Sequence, residues 1–299
     1  MSHNKSLRQN IDFICIGAQK SGTTWLFYNL KQHPNIWVPP CKGIQYFFGY
    51  MWVRRMKYLR KLTFQRLRKM SKDDLFWSFR FLLPVPPSER WYVNLFPAST
   101  SQVVGEFAEG YSLLDTSQIV RLQTLFPNLK IILLLRDPVD RTWSQVRMHL
   151  SRKFDNLENE AEAIEGELSK TQVYERSHYK KIIEKWESIF PSDQIYVDFY
   201  DRIAETPHLF LTDICHFIGV DFKRSYFEET AERRVFEGKA SRIPYAFEKK
   251  LRALYLDDIR WLSHRYGGVA NEWLHKHINA SRDYEPEVNK IGGSHFGNP

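Results

Sequence analysis

The stretch at residues 11–30, IDFICIGAQKSGTTWLFYNL, places an apolar run, a loop of small residues and a helix-forming segment in direct succession. Residues 11–16 are short, apolar and rich in β-branched side chains, which is typical of a buried strand. Residues 23–31 have the apolar spacing of a helix. The stretch therefore predicts a strand, a tight loop and a helix, which is the first unit of an α/β fold.

A second unit of the same kind follows at residues 130–150. The run KIILLL at 130–135 reads as a buried parallel strand, and Pro138 stands at a position that favours the first turn of a helix. Further strands are predicted at 103–104 and 195–199. Further helices are predicted at 117–126, 179–190, 207–218 and 245–266.

Strands that alternate with helices indicate a parallel sheet covered on both faces. We therefore predict an α/β protein, a P-loop-like three-layer α/β/α fold with a central parallel sheet. In this architecture ligands bind at the carboxyl ends of the strands. The loops at 17–24 and 136–144 would both lie there.

The composition is that of a globular protein. The 299 residues include 43 Lys and Arg against 35 Asp and Glu, a formal net charge of +8. We predict one domain over 1–299 with a helical insertion at about 49–89. No run approaches the roughly 18 to 20 apolar residues of a membrane span, and the N-terminus lacks the apolar core of a signal peptide. A cytoplasmic protein without a membrane span is expected. The three widely spaced cysteines predict neither a disulfide framework nor a metal site.

One segment is strongly basic. Residues 13–72 contain no Asp or Glu, and 51–70 combine eight Lys or Arg residues with apolar ones. This pattern predicts a basic amphipathic helix that either packs its apolar stripe on the domain or makes a peripheral contact with an anionic membrane or polyanion. No motif that reads a nucleic-acid groove is present, so a nucleic-acid partner is not predicted.

The loop GAQKSGTT at 17–24 has the features of an anion site. Backbone N–H groups at the start of a helix bind anions, and Lys20 adds a positive charge. A Walker A loop places lysine directly after its last glycine, whereas Lys20 precedes Gly22, so an ordinary ATPase or GTPase is not predicted. The predicted anion-binding residues are Gln19, Lys20, Ser21, Gly22, Thr23 and Thr24.

The order G-x-x-K-S-G-T-T-W-L resembles the 5'-phosphosulfate loop of sulfotransferases that use 3'-phosphoadenosine 5'-phosphosulfate (PAPS). The run LRDPVDRTWS at 135–144 resembles the R-D-P-x-x-R-x-x-S element of that family, which implies that Arg136 and Ser144 bind the 3'-phosphate. The resemblance, to the bacterial and heparan-sulfate-type branch, covers nearly the whole chain except 49–89. It implies PAPS as donor cosubstrate and no metal. It also implies nucleotide contacts for Lys239 and Arg242, although Ala240 replaces the family's glycine in that loop.

The chain departs from the family at the catalytic base. The branch has K-E-x-H-[FY]-F, but here the glutamate position is Gly43 and the histidine position is Gln45. Neither residue accepts a proton. Lys20 is expected to stabilise the leaving phosphate, and Glu106, then Glu109, are the nearest candidate bases.

We therefore predict transfer of a sulfuryl group from PAPS to a hydroxyl or nitrogen of a small metabolite. Cationic acceptors are included because two carboxylates would bind them. One alternative is a glycan or polysaccharide acceptor. Another is a noncatalytic relative that binds PAPS or its product 3'-phosphoadenosine 5'-phosphate (PAP), which the lost base would permit.

Overall fold

The computed structural model describes residues 11–97, 102–151, 153–154, 160–227, 231 and 242–282. Within these residues five strands form one sheet, and the strands are β1 (Phe13–Gly17), β2 (Ile36–Trp37), β3 (Val103–Phe107), β4 (Lys130–Leu135) and β5 (Ile195–Phe199). Their order is β2-β3-β1-β4-β5, and every pairing is parallel. A parallel sheet buries both faces, which explains the continuous apolar runs of β1 and β4.

Helices cover the sheet and build a segment before β3. They are α1 (Thr23–Leu30), α2 (Met51–Leu59), α3 (Phe64–Lys69), α4 (Lys72–Leu82), α5 (Glu89–Val93), α6 (Thr116–Leu125), α7 (Pro138–Leu150), α8 (Ala161–Leu168), α9 (Thr171–Tyr174), α10 (Tyr179–Glu187), α11 (Asp201–Glu205), α12 (Pro207–Ile218), α13 (Tyr245–Tyr266) and α14 (Gly268–Arg282).

Successive side chains of the central strands enter two different hydrophobic cores. Ile131 and Leu133 of β4 pack into the core that includes α7, α10 and α13. Ile132 and Leu134 pack into the core that includes α1 and α12. This alternation follows from the two-residue period of a strand. The predicted three-layer α/β/α fold with a central parallel sheet is confirmed.

Two local predictions were incomplete. The strand β2 was missed, because two residues, Ile36 and Trp37, carry no readable periodicity. The single helix expected at 51–70 is wrong, since the chain forms α2 and α3 with a turn at 60–63 between them. Thr63 directly precedes α3 and is of the residue type that favours a helix N-cap, so it supports a new start there.

The segment of α2 to α4 is held together by buried polar contacts. Arg55, which is buried, donates to the carbonyl oxygens of Phe81 at 2.9 Å and Val85 at 2.8 Å. The hydroxyls of Tyr58 and Ser78 lie 2.6 Å apart. These bonds dock one face of α2 on α4. None of the described helices is long and apolar enough to cross a membrane.

Candidate active site

The loop between β1 and α1 depends on two left-handed residues. Lys20 has φ 75° and Gly22 has φ 82°. At Gly22 a Cβ atom would collide with Ile203 and crowd Tyr200, so glycine is required for space as well as for φ. A non-glycine residue with positive φ costs free energy and often marks a functional site. The loop therefore holds Lys20 in a conformation that the chain would not otherwise adopt.

The second loop begins at the end of β4 and is fixed by Asp137. This carboxylate accepts hydrogen bonds from the backbone of Val139 at 3.0 Å, and from Lys276 and His277 of α14 at 2.8 Å each. Burial opposes its ionisation, but His277 and Lys276 hold the pKa of Asp137 at about 2. A charged Asp137 therefore fixes the start of α7 beside Arg136.

The two loops are joined by arginines. Arg136 donates to the carbonyl oxygen of Lys20, and Arg141 donates to that of Gln19, both at 3.3 Å. Arg176 donates to the side-chain oxygen of Gln19. The structure thus brings the predicted phosphosulfate loop and the predicted 3'-phosphate loop together at one edge of the sheet, as parallel topology requires.

Four cations meet at this edge. The pKa of Lys20 is lowered by burial, and further by the positive charges of Arg136, Arg147 and Lys42. Positive charges that lie close together in a partly buried site repel one another, and a bound anion would relieve that repulsion. The arrangement therefore favours a ligand with more than one anionic group.

Lys42 also lies at this site, although the sequence analysis assigned it no role. Its Nζ lies 2.7 Å from Oγ1 of Thr23 and 2.9 Å from Oγ1 of Thr24, at the start of α1. The same Nζ lies 3.8 Å from Oε2 of Glu109. The available signal was its place as the lysine of the family's K-E-x-H segment. Lys42 connects the donor loop with the candidate acceptor side.

Arg54 fills the space beside Gly43. Its Nε donates to the carbonyl oxygen of Gly43 at 2.5 Å, and its Nη2 donates to that of Lys42 at 2.7 Å. A Cβ atom at Gly43 would collide with Nη2 of Arg54. A guanidinium thus lies against the backbone at Gly43, the position where the sequence comparison with the family's motif predicted a missing base.

Glu106 lies inside the protein. It is 1% exposed and accepts hydrogen bonds from the hydroxyl of Tyr92 and, at 3.3 Å, from the backbone of Gln45. Burial raises the pKa of Glu106 to about 7, although both hydrogen bonds oppose this shift. The carboxyl group has its partners within the protein and is packed among aromatic rings.

Glu109 has a different environment. Its Oε2 is buried, and among the described residues it has no hydrogen-bond partner; the nearest cation is Lys42. Glu109 also acts on Arg176. Burial and the positive charge of Arg141 lower the pKa of Arg176 to about 10, and the negative charge of Glu109 opposes that shift. Of the two candidate bases, Glu109 has a carboxylate oxygen without a hydrogen-bond partner among the described residues.

The remaining predicted residues lie in several places. Ser144 is buried in α7, on the helix that follows Arg136. Arg242 is exposed, and Lys239 lies outside the described residues. Their ligand contacts stay predictions, as do those of the other site residues.

Two arginines at this edge were assigned no role from the sequence. Arg141, the second arginine of the R-D-P-x-x-R element, is fully buried, and it bonds neutral acceptors such as Gln145 Oε1 at 2.7 Å and the backbone of Val173. Arg176 lies outside both motifs, in a short 3₁₀ helix after α9. Both arginines reach Gln19 only through tertiary contacts.

The chain was compared with known proteins. The family model described as the Sulfotransferase family matches residues 12–224. The membrane-associated sulfotransferase kil1 of Dictyostelium discoideum is 33% identical over 138 residues, and the match spans 45% of this chain but only 22% of kil1.

Solved structures share the fold. A sulfotransferase from Alicyclobacillus acidocaldarius superposes with a TM-score of 0.59 at 23% identity, covering 88% of this chain and 98% of that one. Mouse sulfotransferase SULT7A1, solved with PAP, gives 0.52 at 16% identity over 89% of each chain. Because the family match covers residues 12–224, which is well over half of the chain, this chain belongs to the Sulfotransferase family.

Proposed function

We propose that this protein transfers a sulfuryl group from PAPS to a small acceptor. The observation that carries the proposal is the junction of the two loops, where Lys20, Lys42 and Arg136 converge beside the N-terminus of α1. This edge offers backbone donors for a 5'-phosphosulfate and an arginine for a 3'-phosphate. The proposed donor contacts are those of residues 19–24, Arg136 and Ser144, with Lys239 and Arg242 from the loop after them.

In the proposed reaction an acceptor oxygen or nitrogen attacks the sulfur, and the bond from sulfur to the 5'-phosphate oxygen breaks. Negative charge then grows on the departing phosphate oxygen. Lys20 and the α1 N-terminus stabilise that charge, and Lys42, held by Thr23 and Thr24, adds a second ammonium. Fixed cations in a partly buried site act more strongly than in water.

We further propose Glu109, ahead of Glu106, as the group that accepts the proton of the acceptor. Glu109 lies 3.8 Å from Lys42, which itself contacts Thr23 and Thr24, and its Oε2 has no hydrogen-bond partner among the described residues. Glu106 is engaged by Tyr92 and Gln45, and ionising it inside the protein costs free energy. Its role is then to hold Tyr92 and the backbone at Gln45 in place.

The proposed acceptor is a small metabolite with a free hydroxyl or amine, cationic ones included. Glu109 supplies a carboxylate for an ammonium, but Lys42 and Arg176 already compensate its charge. A glycan acceptor is the alternative within the same chemistry. A noncatalytic PAP-binding protein is the second candidate, favoured by Gly43 and Gln45 at the positions of the family's glutamate and histidine. A cytoplasmic location and the absence of a nucleic-acid partner stay predictions.

Calorimetry tests the donor site. We expect PAP to bind at least tenfold more tightly than adenosine 5'-monophosphate or ATP, because an arginine–phosphate bond contributes about 1.5–3 kcal/mol. Arg136→Ala should remove that preference. Arg260→Ala is the control, because this exposed arginine pairs with Asp257 on α13. Equal affinity for PAP and adenosine 5'-monophosphate would refute the proposed donor.

A second assay separates the enzyme from the noncatalytic binder. Wild type and Lys20→Ala are incubated with PAPS and a panel of amines, alcohols and sulfatable glycans, and the sulfated product is measured. Product that requires Lys20 supports transfer. Tight PAP binding with no product and no release of sulfate from PAPS would favour the binder.

A further inference from the structure

Exposed apolar side chains are concentrated in one segment. Of the sixteen large hydrophobic residues that are exposed in the described part of the chain, ten lie between residues 50 and 79. They are Tyr50, Trp52, Val53, Met56, Leu59, Phe64, Leu67, Leu75, Phe76 and Phe79. Single exposed hydrophobics are ordinary, but a concentration of this kind marks an interaction surface.

The helix α2 has a buried face and, separate from it, an exposed apolar stripe. Met51, Arg55 and Tyr58 form the buried stripe, which packs toward α4. Trp52, Met56 and Leu59 are spaced i, i+4, i+7 and form a second stripe that is exposed. Of this second stripe, the ring of Trp52 lies under the guanidinium of Arg55 at 4.8 Å, and all three side chains remain exposed.

The helix α4 shows the same division. Trp77 and Phe81 are buried and stack on each other with ring centroids 5.0 Å apart. Phe76 and Phe79 are 63% and 64% exposed. Two phenylalanines at this exposure bury little apolar surface in the folded chain, so they contribute little to its stability.

The charges of this surface have one dominant sign. Two of the basic residues, Arg54 and Arg55, turn inward and bond backbone carbonyl oxygens. The others with a described side chain are exposed, and none takes part in an ion pair found among the described residues: Lys57, Arg60, Lys61, Arg68, Lys69 and Lys72. The first acidic residues are Asp73 and Asp74, at the N-terminus of α4.

We propose that the exposed face of α2, α3 and α4, here called the insertion surface, docks on an anionic lipid bilayer. Exposed Trp, Phe and Leu side chains next to Lys and Arg fit the boundary between acyl chains and anionic headgroups. A soluble polyanion would use the cations but not the aromatic rings. A second copy of the chain would bring the same excess of positive charge against itself.

Docking would also set the orientation of the site. Arg54 extends from α2 to the carbonyl oxygens of Lys42 and Gly43, so the insertion surface and the acceptor side share one helix. This consequence rests on the proposed function. The docking itself does not, because it requires neither PAPS nor catalysis.

Vesicle sedimentation tests the proposal with the full chain. The probes are sucrose-loaded vesicles of phosphatidylcholine alone and of phosphatidylcholine with about one third phosphatidylserine, the anionic lipid that attracts basic segments. Saturating PAP is present throughout, so that the cations of the nucleotide site are occupied. The variants are F76S/F79S and K57Q/K61Q, and the matched control is Leu209→Ser, which removes a 54% exposed leucine from α12.

We expect wild type to sediment with the phosphatidylserine vesicles and to leave them as salt is raised. F76S/F79S should weaken partitioning at least about tenfold, since two rings that the bilayer would bury are lost. K57Q/K61Q should weaken it roughly fivefold for each charge removed. Leu209→Ser should behave as wild type, and equal thermal midpoints should show that all variants are folded.

Each of four results would overturn the proposal. The first is wild type that stays in the supernatant with phosphatidylserine vesicles at low salt. The second is F76S/F79S that binds as tightly as wild type. The third is a dimer in sedimentation velocity that F76S/F79S dissociates while vesicles bind neither protein, because the surface would then join two copies. Retention on heparin without vesicle binding would count equally against a bilayer.

Discussion

Arg54 donates a 2.5 Å hydrogen bond from Nε to the carbonyl oxygen of Gly43, and its Nη2 occupies the space that a side chain at Gly43 would need. Gly43 also has φ 77°, a conformation that L-residues with a side chain rarely adopt. Both features disfavour any side chain at position 43.

Gly43→Glu should accordingly destabilise the protein and leave sulfuryl transfer no faster. We expect a loss of about 2 kcal/mol in the free energy of unfolding, from the left-handed backbone and the collision with Arg54. The double variant G43E/R54A should recover part of this loss, which urea unfolding in a double-mutant cycle would measure. An unchanged stability of Gly43→Glu would show that the new carboxylate pairs with Arg54 instead.

Glu106 should make stability depend on pH. Its folded pKa, about 7, lies above the value of 4.5 for a solvated glutamate. The folded state therefore holds the proton more tightly, so this contribution is complete below pH 4.5 and is lost as the pH rises through 7. The full difference corresponds to about 3 kcal/mol.

Glu106→Gln should remove that dependence. Relative to the variant, wild type should lose free energy of unfolding between pH 5 and 8, measured by urea denaturation at each pH. Glu272→Gln, at an exposed position of α14, is the matched control. Parallel pH profiles for wild type and Glu106→Gln would contradict a raised pKa at this position.

Much of the fold was predictable because local pattern and tertiary structure agree. The runs at 130–135 and 195–199 became strands with those bounds, and the helices at 207–218 and 245–266 also match. In each of these segments the spacing of apolar residues matches the face or faces that the folded protein buries. The two loops could be placed at the same edge because parallel strands end there.

The unpredicted parts depend on contacts between distant residues. Arg141 and Gln19 are separated by 122 positions, and no local pattern distinguishes a buried arginine with neutral acceptors from one on the surface. The ranking of Glu106 above Glu109 stays a prediction, but the partner of Glu106 was equally invisible in the sequence. Tyr92, which takes one oxygen of Glu106, comes from α5, and the sequence did not indicate that it reaches β3.

The bond of Asp137 to α14 should be required for stability and for nucleotide affinity. The pKa of Asp137 is held at about 2, below the usual 3.8, so its contribution is present above pH 3.8 and is lost as the pH falls toward 2. The shift corresponds to about 2 kcal/mol. Asp137→Asn should lose that amount at pH 7, and the difference from wild type should shrink below pH 4.

The same variant should bind PAP several-fold more weakly at pH 7, because Asp137 caps the helix that follows Arg136. Asp257→Asn, whose side chain is 94% exposed, should change neither quantity. Chemical denaturation and calorimetry at pH 7 provide both readouts. Full stability with normal PAP affinity in Asp137→Asn would show that Lys276 and His277 do not position this loop.

Glu109 and Glu106 should respond differently in a transfer assay. If Glu109 accepts the proton of the acceptor, Glu109→Gln should slow transfer by about 10²- to 10⁴-fold, the usual contribution of a general base. PAP affinity should stay within about threefold, because Glu109 reaches the donor loop only through Lys42. Glu106→Gln, once corrected for the fraction of folded protein, should keep most of the activity.

The rates are measured as sulfated product at saturating PAPS, with the acceptor that the panel identifies. A slow Glu106→Gln beside a fast Glu109→Gln would reverse the two roles, and it would mean that Tyr92 and Glu106 open toward the acceptor during turnover.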